Sequence, residues 1–295
     1  MPSAPRAALV VLAGGDGRRV GQDTNKVLLP LAGRRVFTWS IRWARELPHV
    51  THTVLVIRER DREVVERTLD RELEGPEVTV VVGGDSRHGS EWAALQALAG
   101  PIERGEVDVV VIHDAARPLA STRLFEDVVA AASLHGGALP VLAPAGLITL
   151  APHGEAGPDD VSAVTEGAVV AVQTPQAFAA APLLAAYRAA DRDGFVGTDT
   201  ASCIERYADL PIACVPSDAR NLKITFPEDL FLAERLLAKA GYDLSDRRAP
   251  SAHHSPLDWL RHARHPRQDR QDRQDRQDRQ DRHDRPATGP MEEGA

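Results

Sequence analysis

"AALVVLAGGDGRRVGQDTNKV" runs from Ala7 to Val27. Its first six residues form an unbroken apolar run, the pattern of a strand buried on both faces. Glycines follow at once, at Gly14, Gly15, Gly17 and Gly21, with Arg18, Arg19 and Lys26 among them. Spacing excludes two familiar phosphate loops. The dinucleotide fingerprint G-x-G-x-x-G needs glycine where Val20 stands, and the ATP-type loop needs lysine directly after Gly21, where Gln22 stands. What remains is Gly15-x-Gly17-x-Arg19, with Lys26 seven residues further on. Glycines let backbone N–H groups approach an anion closely. Arg19 and Lys26 suit a phosphate from two sides, one as a planar fork and one as a point charge. The same residues also suit a glycine turn with solvated cations.

Beyond this stretch, apolar and β-branched runs recur at 53–57, 78–82, 107–112, 138–142, 169–173 and 212–215. Helix-like segments fall at 36–47, 61–74, 91–98, 124–135, 181–193, 198–207 and 227–240. Strands alternating with helices predict βαβ units and a mostly parallel sheet. Ligands of such sheets bind at the carboxyl ends of the strands, where both the glycine loop and "HDAARP" (His113–Pro118) fall. Residues 144–167 break the rhythm with Gly, Pro and Ala, and read as a β-arm or long loop. The run "RQDRQDRQDRQDRQDRHDR" (Arg267–Arg285) contains no apolar residue and cannot build a core, which predicts disorder. The expected division is therefore a folded domain over 1–240 and a low-complexity tail over 241–295.

Composition narrows the function classes. A chain of 295 residues that is 43% apolar can bury a sizeable core. No apolar stretch approaches the roughly 18–20 residues of a membrane span, and the N-terminus lacks the pattern of a secretory signal. Cys203 and Cys214 lack metal or redox spacing and are expected as reduced thiols in a cytoplasmic protein. From Gly241 onward, eleven Lys/Arg balance eleven Asp/Glu, so the whole net charge of −8 belongs to 1–240. An acidic body argues against a nucleic-acid surface while allowing a local basic cleft. Lysine occurs only at Lys26, Lys223 and Lys239, against 32 arginines. Such rarity favours sites where a compact, flexible ammonium is needed, although chance explains any single lysine.

Further motifs follow in order. They are "GGDSRHGS" (Gly83–Ser90), "HDAARP", "TPQAF" (Thr174–Phe178), "GTDTAS" (Gly197–Ser202) and "NLKIT" (Asn221–Thr225) followed by "PEDL". Together with the opening loop, this series resembles the cytidylyltransferases that act on methylerythritol 4-phosphate and ribitol 5-phosphate, over about residues 5–240. Singly, each motif has a plainer reading. Asp114 and Arg117 suit a structural ion pair, His113 local packing, Thr174-Pro175 a turn, Thr198 and Asp199 a helix cap, and Lys223 a solvated charge.

The resemblance implies an α/β, Rossmann-like three-layer sandwich with a mostly parallel sheet and a protruding β-arm at about 140–170. It implies attack by a substrate phosphate on the α-phosphorus of CTP, with pyrophosphate leaving. A phosphate monoester has its second pKa near about 6, so the nucleophile is already ionised and needs no general base. Positioning and charge stabilisation do the chemistry. By resemblance, Arg19 and Lys26 stabilise charge on the α-phosphate and the leaving group. Ala13, Gly14, Gly15 and Gly17, with Gly84, Asp85 and Ser90, hold the nucleotide. Asp114 helps place Mg²⁺ on the triphosphate, and Arg117, Thr198 and Lys223 face the acceptor, a small polyol phosphate. A homodimer formed through the arm is implied as well, with neither nucleic acid nor membrane as partner.

The chain departs from the related pattern in specific places. The arm's D-T-[IM]-K motif aligns with Ala143-Pro144-Ala145-Gly146, and an arginine eight residues before Thr174 is replaced by Glu166. No Lys or Arg lies between Arg123 and Arg188. P-K-Q reads Asn25-Lys26-Val27, the apolar residue after Ser90 is Glu91, and the glutamate of TDEAS is Thr200. The nucleotide half is thus expected to be intact and the acceptor side altered. Methylerythritol 4-phosphate is the leading acceptor and ribitol 5-phosphate, or a related polyol phosphate, its rival. A nucleotide-binding protein that has lost catalysis is the alternative of another class; glycine spacing disfavours a Rossmann oxidoreductase.

Overall fold

The computed structural model describes residues 4–15, 25–75, 77–142, 148–150, 161–163 and 170–240. The opening run forms β1 (Ala7–Leu12), with the bounds its sequence predicts. A short hairpin, β2 (Pro30–Leu31) and β3 (Arg34–Arg35), leads into α1 (Val36–Arg45), β4 (Val50–Ile57), α2 (Arg62–Glu72) and β5 (Thr79–Val82). Next come α3 (Arg87–Glu103), β6 (Val109–Asp114), α4 (Thr122–His135) and β7 (Gly137–Leu142). After β8 (Ile148–Leu150) and β9 (Val161–Ala163) follow β10 (Ala171–Val172), β11 (Gln176–Ala179), α5 (Ala180–Asp193), α6 (Thr200–Tyr207), β12 (Ile212–Pro216) and α7 (Pro227–Lys239).

β1 sits inside the sheet, parallel to β4 on one side and β6 on the other, and β5 continues parallel beyond β4. Its alternate residues serve two cores, as the two-residue pleat requires. Leu9 and Val11 join Phe37 and Ile41 of α1, Val65 of α2 and Phe125 and Val128 of α4. Ala8 and Val10 join Leu95 and Leu98 of α3, Leu183 and Tyr187 of α5 and Ile204 of α6. Helices therefore cover both faces, giving three layers, and this double burial is why the run carries no polar residue.

The sheet departs from the sequence reading at one central place. β11 lies between β6 and β7 and runs antiparallel to both. Its sequence, QAFA, has no β-branched residue and follows a proline, so local preference gives little strand signal. Tertiary burial decides instead, with Ala177 and Phe178 fully enclosed. β10 pairs with Leu142 and Val141 of β7, and β11 with Ala138 and Gly137, so the two are successive pieces along one edge of β7. β12 also pairs with β7, in parallel.

Helix ends differ too. α3 is longer than the expected 91–98: Ser86 caps it by accepting the Gly89 N–H at 2.9 Å, and Gly100 and Pro101 lie within its last turns. α6 starts at Thr200 and not at 198, with Asp199 as its cap accepting the Ser202 N–H at 2.9 Å. β8 and β9 pair antiparallel within the segment read as an arm. Gly17, Arg19, Glu166, residues 143–146 and the tail 241–295 lie outside the described residues. Cys203 is a buried free thiol and Cys214 an exposed one. Among the described residues, no helix is long and apolar enough to cross a membrane.

The register aligns one edge of the sheet. Leu12 lies opposite Asp114 on one side and Val56 on the other, and Val56 lies opposite Val81. The glycine loop, the β4 exit, the β5–α3 turn and Asp114 thus leave the sheet side by side. β11 runs the opposite way, so its amino end meets this edge and brings Thr174 to it.

Candidate active site

The described ends of the loop after β1, residues 13–15 and 25, are held by hydrogen bonds. The Ala13 N–H donates to the Val56 carbonyl at 2.7 Å, and Arg58 Nε donates to the Gly14 carbonyl at 2.7 Å. Asn25 is 2% exposed; its Nδ2 donates to the Ala13 carbonyl at 2.6 Å and to Asp61 Oδ2 at 3.0 Å. Its Oδ1 accepts the Val27 N–H at 3.4 Å and caps a single 3₁₀ turn, Lys26–Leu28. Val27 and Leu28 are buried in the core. Half-buried Lys26 therefore projects from a turn fixed by packing and by hydrogen bonds to the first residue of the glycine loop. Asparagine does here what a proline ring does in the related motif: it restricts the residue before the lysine.

The β5–α3 turn approaches the same edge. The Gly83 N–H donates to the Ile57 carbonyl at 2.8 Å. A Cβ on Gly83 would fall 2.6 Å from Ser90 Oγ and 2.9 Å from Val56 Cγ1, so only glycine lets the turn pass this close. Ser90 Oγ donates to the Gly84 carbonyl at 3.4 Å, and Asp85 is exposed at the tip. Gly84, Asp85 and Ser90, singled out from sequence for the nucleotide, thus share one turn.

Asp114 ends β6 beside them. Its Oδ1 accepts from Arg87 at 2.5 Å and its Oδ2 from Lys223 Nζ at 2.7 Å. Burial pushes its carboxyl up, but the Arg87 and Lys223 charges together override this and hold it well below the usual carboxylate range. Asp114 is therefore ionised. Its ion-pair partners are these two cations and not Arg117, the partner the plainer sequence reading gave it.

His113 anchors the layer beneath. The Asp114 N–H donates to Thr174 Oγ1 at 2.9 Å, and Thr174 Oγ1 lies 3.1 Å from His113 Nδ1. His113 Nε2 lies 3.1 Å from the Arg117 carbonyl, which can only accept. The proton therefore sits on Nε2, and Nδ1 accepts from the threonine hydroxyl. Burial lowers the His113 pKa to about 4, so the ring is neutral. Between about pH 4 and 6.5 the unfolded chain binds a proton that the folded chain refuses. Stability is thus complete above pH 6.5 and falls by about 3 kcal/mol in total as pH drops towards 4. An NMR titration of the ring should show no protonation at pH 6; an inflection near 6.5 would contradict the assignment.

Arg117 Nη1 donates to the Asn221 carbonyl at 2.7 Å, and Asn221 Nδ2 donates to Gln173 Oε1 and to the Thr174 carbonyl, each at 2.9 Å. The Ile224 N–H donates to the Ala116 carbonyl at 2.7 Å. The HDAARP, TPQ and NLKIT segments are thereby stitched into one platform. Arg117 and Lys223, two of the three residues singled out for the acceptor, stand on it. Thr198, the third, is exposed just before the α6 cap, and among the described residues no hydrogen bond joins it to the platform. Sequence reasoning assigned no role to Arg87, Asn25 or Arg58. The first was legible as the arginine of "GGDSRHGS"; the other two act through backbone carbonyls, which leave no trace in a motif.

A family model for IspD, 2-C-methyl-D-erythritol 4-phosphate cytidylyltransferase, matches residues 7–239. A curated protein of that name from Symbiobacterium thermophilum is 38% identical over 235 residues, which are 78% of this chain and 92% of the relative. Its counterpart from Geobacillus kaustophilus is 34% identical over 229 residues, covering 78% and 96%. The crystal structure of 2-C-methyl-D-erythritol 4-phosphate cytidylyltransferase from Thermus thermophilus superposes with a TM-score of 0.57 at 27% identity, covering 78% of this chain and 98% of that one. The 4-diphosphocytidyl-2C-methyl-D-erythritol synthase of Anaerococcus prevotii shares the fold, with a TM-score of 0.64 at 22% identity over 80% of this chain and 97% of its own. The chain belongs to the 2-C-methyl-D-erythritol 4-phosphate cytidylyltransferase family.

Proposed function

We propose that the chain transfers CMP from CTP to 2-C-methyl-D-erythritol 4-phosphate, forming CDP-methylerythritol for isoprenoid precursor synthesis. An oxygen of the acceptor phosphate attacks the α-phosphorus of CTP in line. The bond from that phosphorus to the bridging oxygen of the β-phosphate breaks, and pyrophosphate leaves with the electron pair. No proton has to be removed from the nucleophile at neutral pH. The reading is supported above all by the convergence of loop, turn and platform at Asp114. Lys26, Arg87 and Lys223 meet one edge of a sheet in an otherwise acidic body, where an incoming triphosphate and a second phosphate need cations.

In this reading Arg19 and Lys26 neutralise charge that builds on the α-phosphate and the pyrophosphate. The backbone at Ala13, Gly14 and Gly15, with Gly84, Asp85 and Ser90, holds the cytidine, and Gly17 belongs to the same nucleotide loop. Arg117, Thr198 and Lys223 receive the acceptor. Among the described residues, no group of three or more His, Cys, Asp or Glu could hold a metal ion. Asp114, whose oxygens retain lone pairs beyond their two cation contacts, is the residue that would help hold Mg²⁺ beside the triphosphate. When bound, the ion neutralises triphosphate charge. A homodimer formed through the arm and a cytoplasmic location complete the proposal.

The altered arm favours one rival, a different polyol phosphate such as ribitol 5-phosphate, because Glu166 would repel a dianion that an arginine would attract. Pyrophosphate release from CTP with a panel of polyol phosphates separates the two. Methylerythritol 4-phosphate is expected to give the highest kcat/KM. Turnover with ribitol 5-phosphate alone would overturn the acceptor, and tight CTP binding without any turnover would overturn the enzyme.

A further inference from the structure

Two departures from the related motifs, 109 residues apart in sequence, touch each other. Glu91, on the second turn of α3, stands where an apolar residue is usual, and Thr200, the first residue of α6, stands where glutamate is usual. Thr200 Oγ1 donates to Glu91 Oε1 at 2.9 Å. The Glu91 side chain is wholly buried. Its Oε1 also lies 2.9 Å from Arg87 Nε, and its Oε2 accepts from the Tyr187 hydroxyl. Tyr187 is fully buried and stacks on His88, with ring centroids 4.6 Å apart. The three groups in direct contact with this carboxylate are two hydroxyl donors and a cation, while the Asp114 carboxylate acts on it from farther off.

Arg87 links Glu91 to the platform. Its guanidinium lies between two carboxylates, Glu91 at 2.9 Å and Asp114 at 2.5 Å, and Asp114 in turn carries Lys223. Two cations alternate with two carboxyl groups along the row, so each buried charge has a partner of opposite kind beside it. We propose that Glu91 is a positioning residue for cytidylyl transfer: it fixes Arg87, which holds the Asp114 carboxylate in register, and it supplies from α3 the carboxylate that relatives supply from α6. Thr200 is then the complementary half of the exchange, a hydroxyl where the old carboxylate stood, donating to the new one. A chain that kept Glu91 and also carried glutamate at position 200 would set two buried carboxylates against each other. One that lost both would leave Arg87 with a half share of Asp114.

Burial, with the Asp114 charge adding to it, raises the Glu91 carboxyl above the ordinary range, and Arg87, Tyr187 and Thr200 only partly oppose that rise. Arg87 stays charged, because the Asp114 and Glu91 charges outweigh its own burial.

The inference rests on the cytidylyl-transfer reading, and the test keeps the two apart. Steady-state kinetics on the full chain, with CTP, Mg²⁺ and methylerythritol 4-phosphate, would compare wild type, Glu91→Gln, Glu91→Val and the double variant Glu91→Val/Thr200→Glu. Glu91→Gln keeps the shape and loses the charge. Its kcat is expected to fall about tenfold to a hundredfold, the effect of misplacing a group near the chemistry, while KM for the acceptor stays within about twofold. Glu91→Val should lose as much, and the double variant should recover to within about threefold of wild type. A residue needed only to fill space would not require the charge, and moving the carboxylate to α6 would rescue nothing. Should Glu91→Val fail to fold, Glu91→Gln carries the kinetic test, and a double variant that folds would still report the rescue. A Glu91→Gln kcat within twofold of wild type overturns the inference, as does a double variant that is inactive or unfolded. An inactive wild type would instead fail the functional reading.

Discussion

Lys26→Ala should lower kcat by about 10²- to 10³-fold, the usual cost of removing one preorganised group aimed at developing charge, with little change in melting temperature. The half-buried lysine does not belong to the apolar core. Its neighbours do, because Val27 and Leu28 are buried and Asn25 ties the turn to Ala13 and Asp61. The turn should therefore survive the substitution with the ammonium gone. Lys26→Arg should recover only part of the loss, since a planar fork on a turn this constrained cannot place its charge where a compact ammonium sits. Rate measurements beside a thermal melt decide the matter. A variant turning over at the wild-type rate would remove the lysine from the chemistry.

Asp114→Asn should cost both stability and activity. Asp114 is 7% exposed and is the shared counter-ion of Arg87 and Lys223. Removing one partner of a buried pair costs about 3–5 kcal/mol. Here the lower end applies, because Arg87 keeps Glu91 and Lys223, with 44% of its side chain exposed, can turn to water. About 3 kcal/mol corresponds to a fall of roughly 6–12 °C in melting temperature for a domain of this size. Since Asn cannot hold both Arg87 and Lys223 in place by charge, kcat/KM for CTP should fall by about 10²-fold. An unchanged melting curve would show that the charge row is not structural.

The sequence carried the sheet wherever burial on both faces forced an apolar run, and β1 is the clearest case, found with its bounds unchanged. β11 was illegible because Gln176–Ala179 owes its conformation to β6 and β7, not to its own residues. The far end of α3 was illegible because Gly100 and Pro101 resemble a stop. The candidate site was legible as a set of segments and illegible as a network. "HDAARP", "TPQAF" and "NLKIT" named the right stretches, but nothing in them said that Thr174 would accept from the Asp114 backbone or that Asn221 would hold Arg117. Such contacts span 60 or more residues and depend on an antiparallel strand entering the sheet edge. The Glu91–Thr200 contact was visible only as two unrelated departures, because helix periodicity says nothing about which helix a buried carboxylate will face.

The central claim, attack of an acceptor phosphate on the α-phosphorus of CTP, is tested most directly by ³¹P NMR of the full chain with CTP, Mg²⁺ and methylerythritol 4-phosphate. The expected spectrum gains pyrophosphate and a new diphosphate diester in equal amounts as the acceptor monoester disappears. Loss of CTP to CDP and inorganic phosphate with the acceptor unchanged, or no change in the spectrum at all, would contradict the claim.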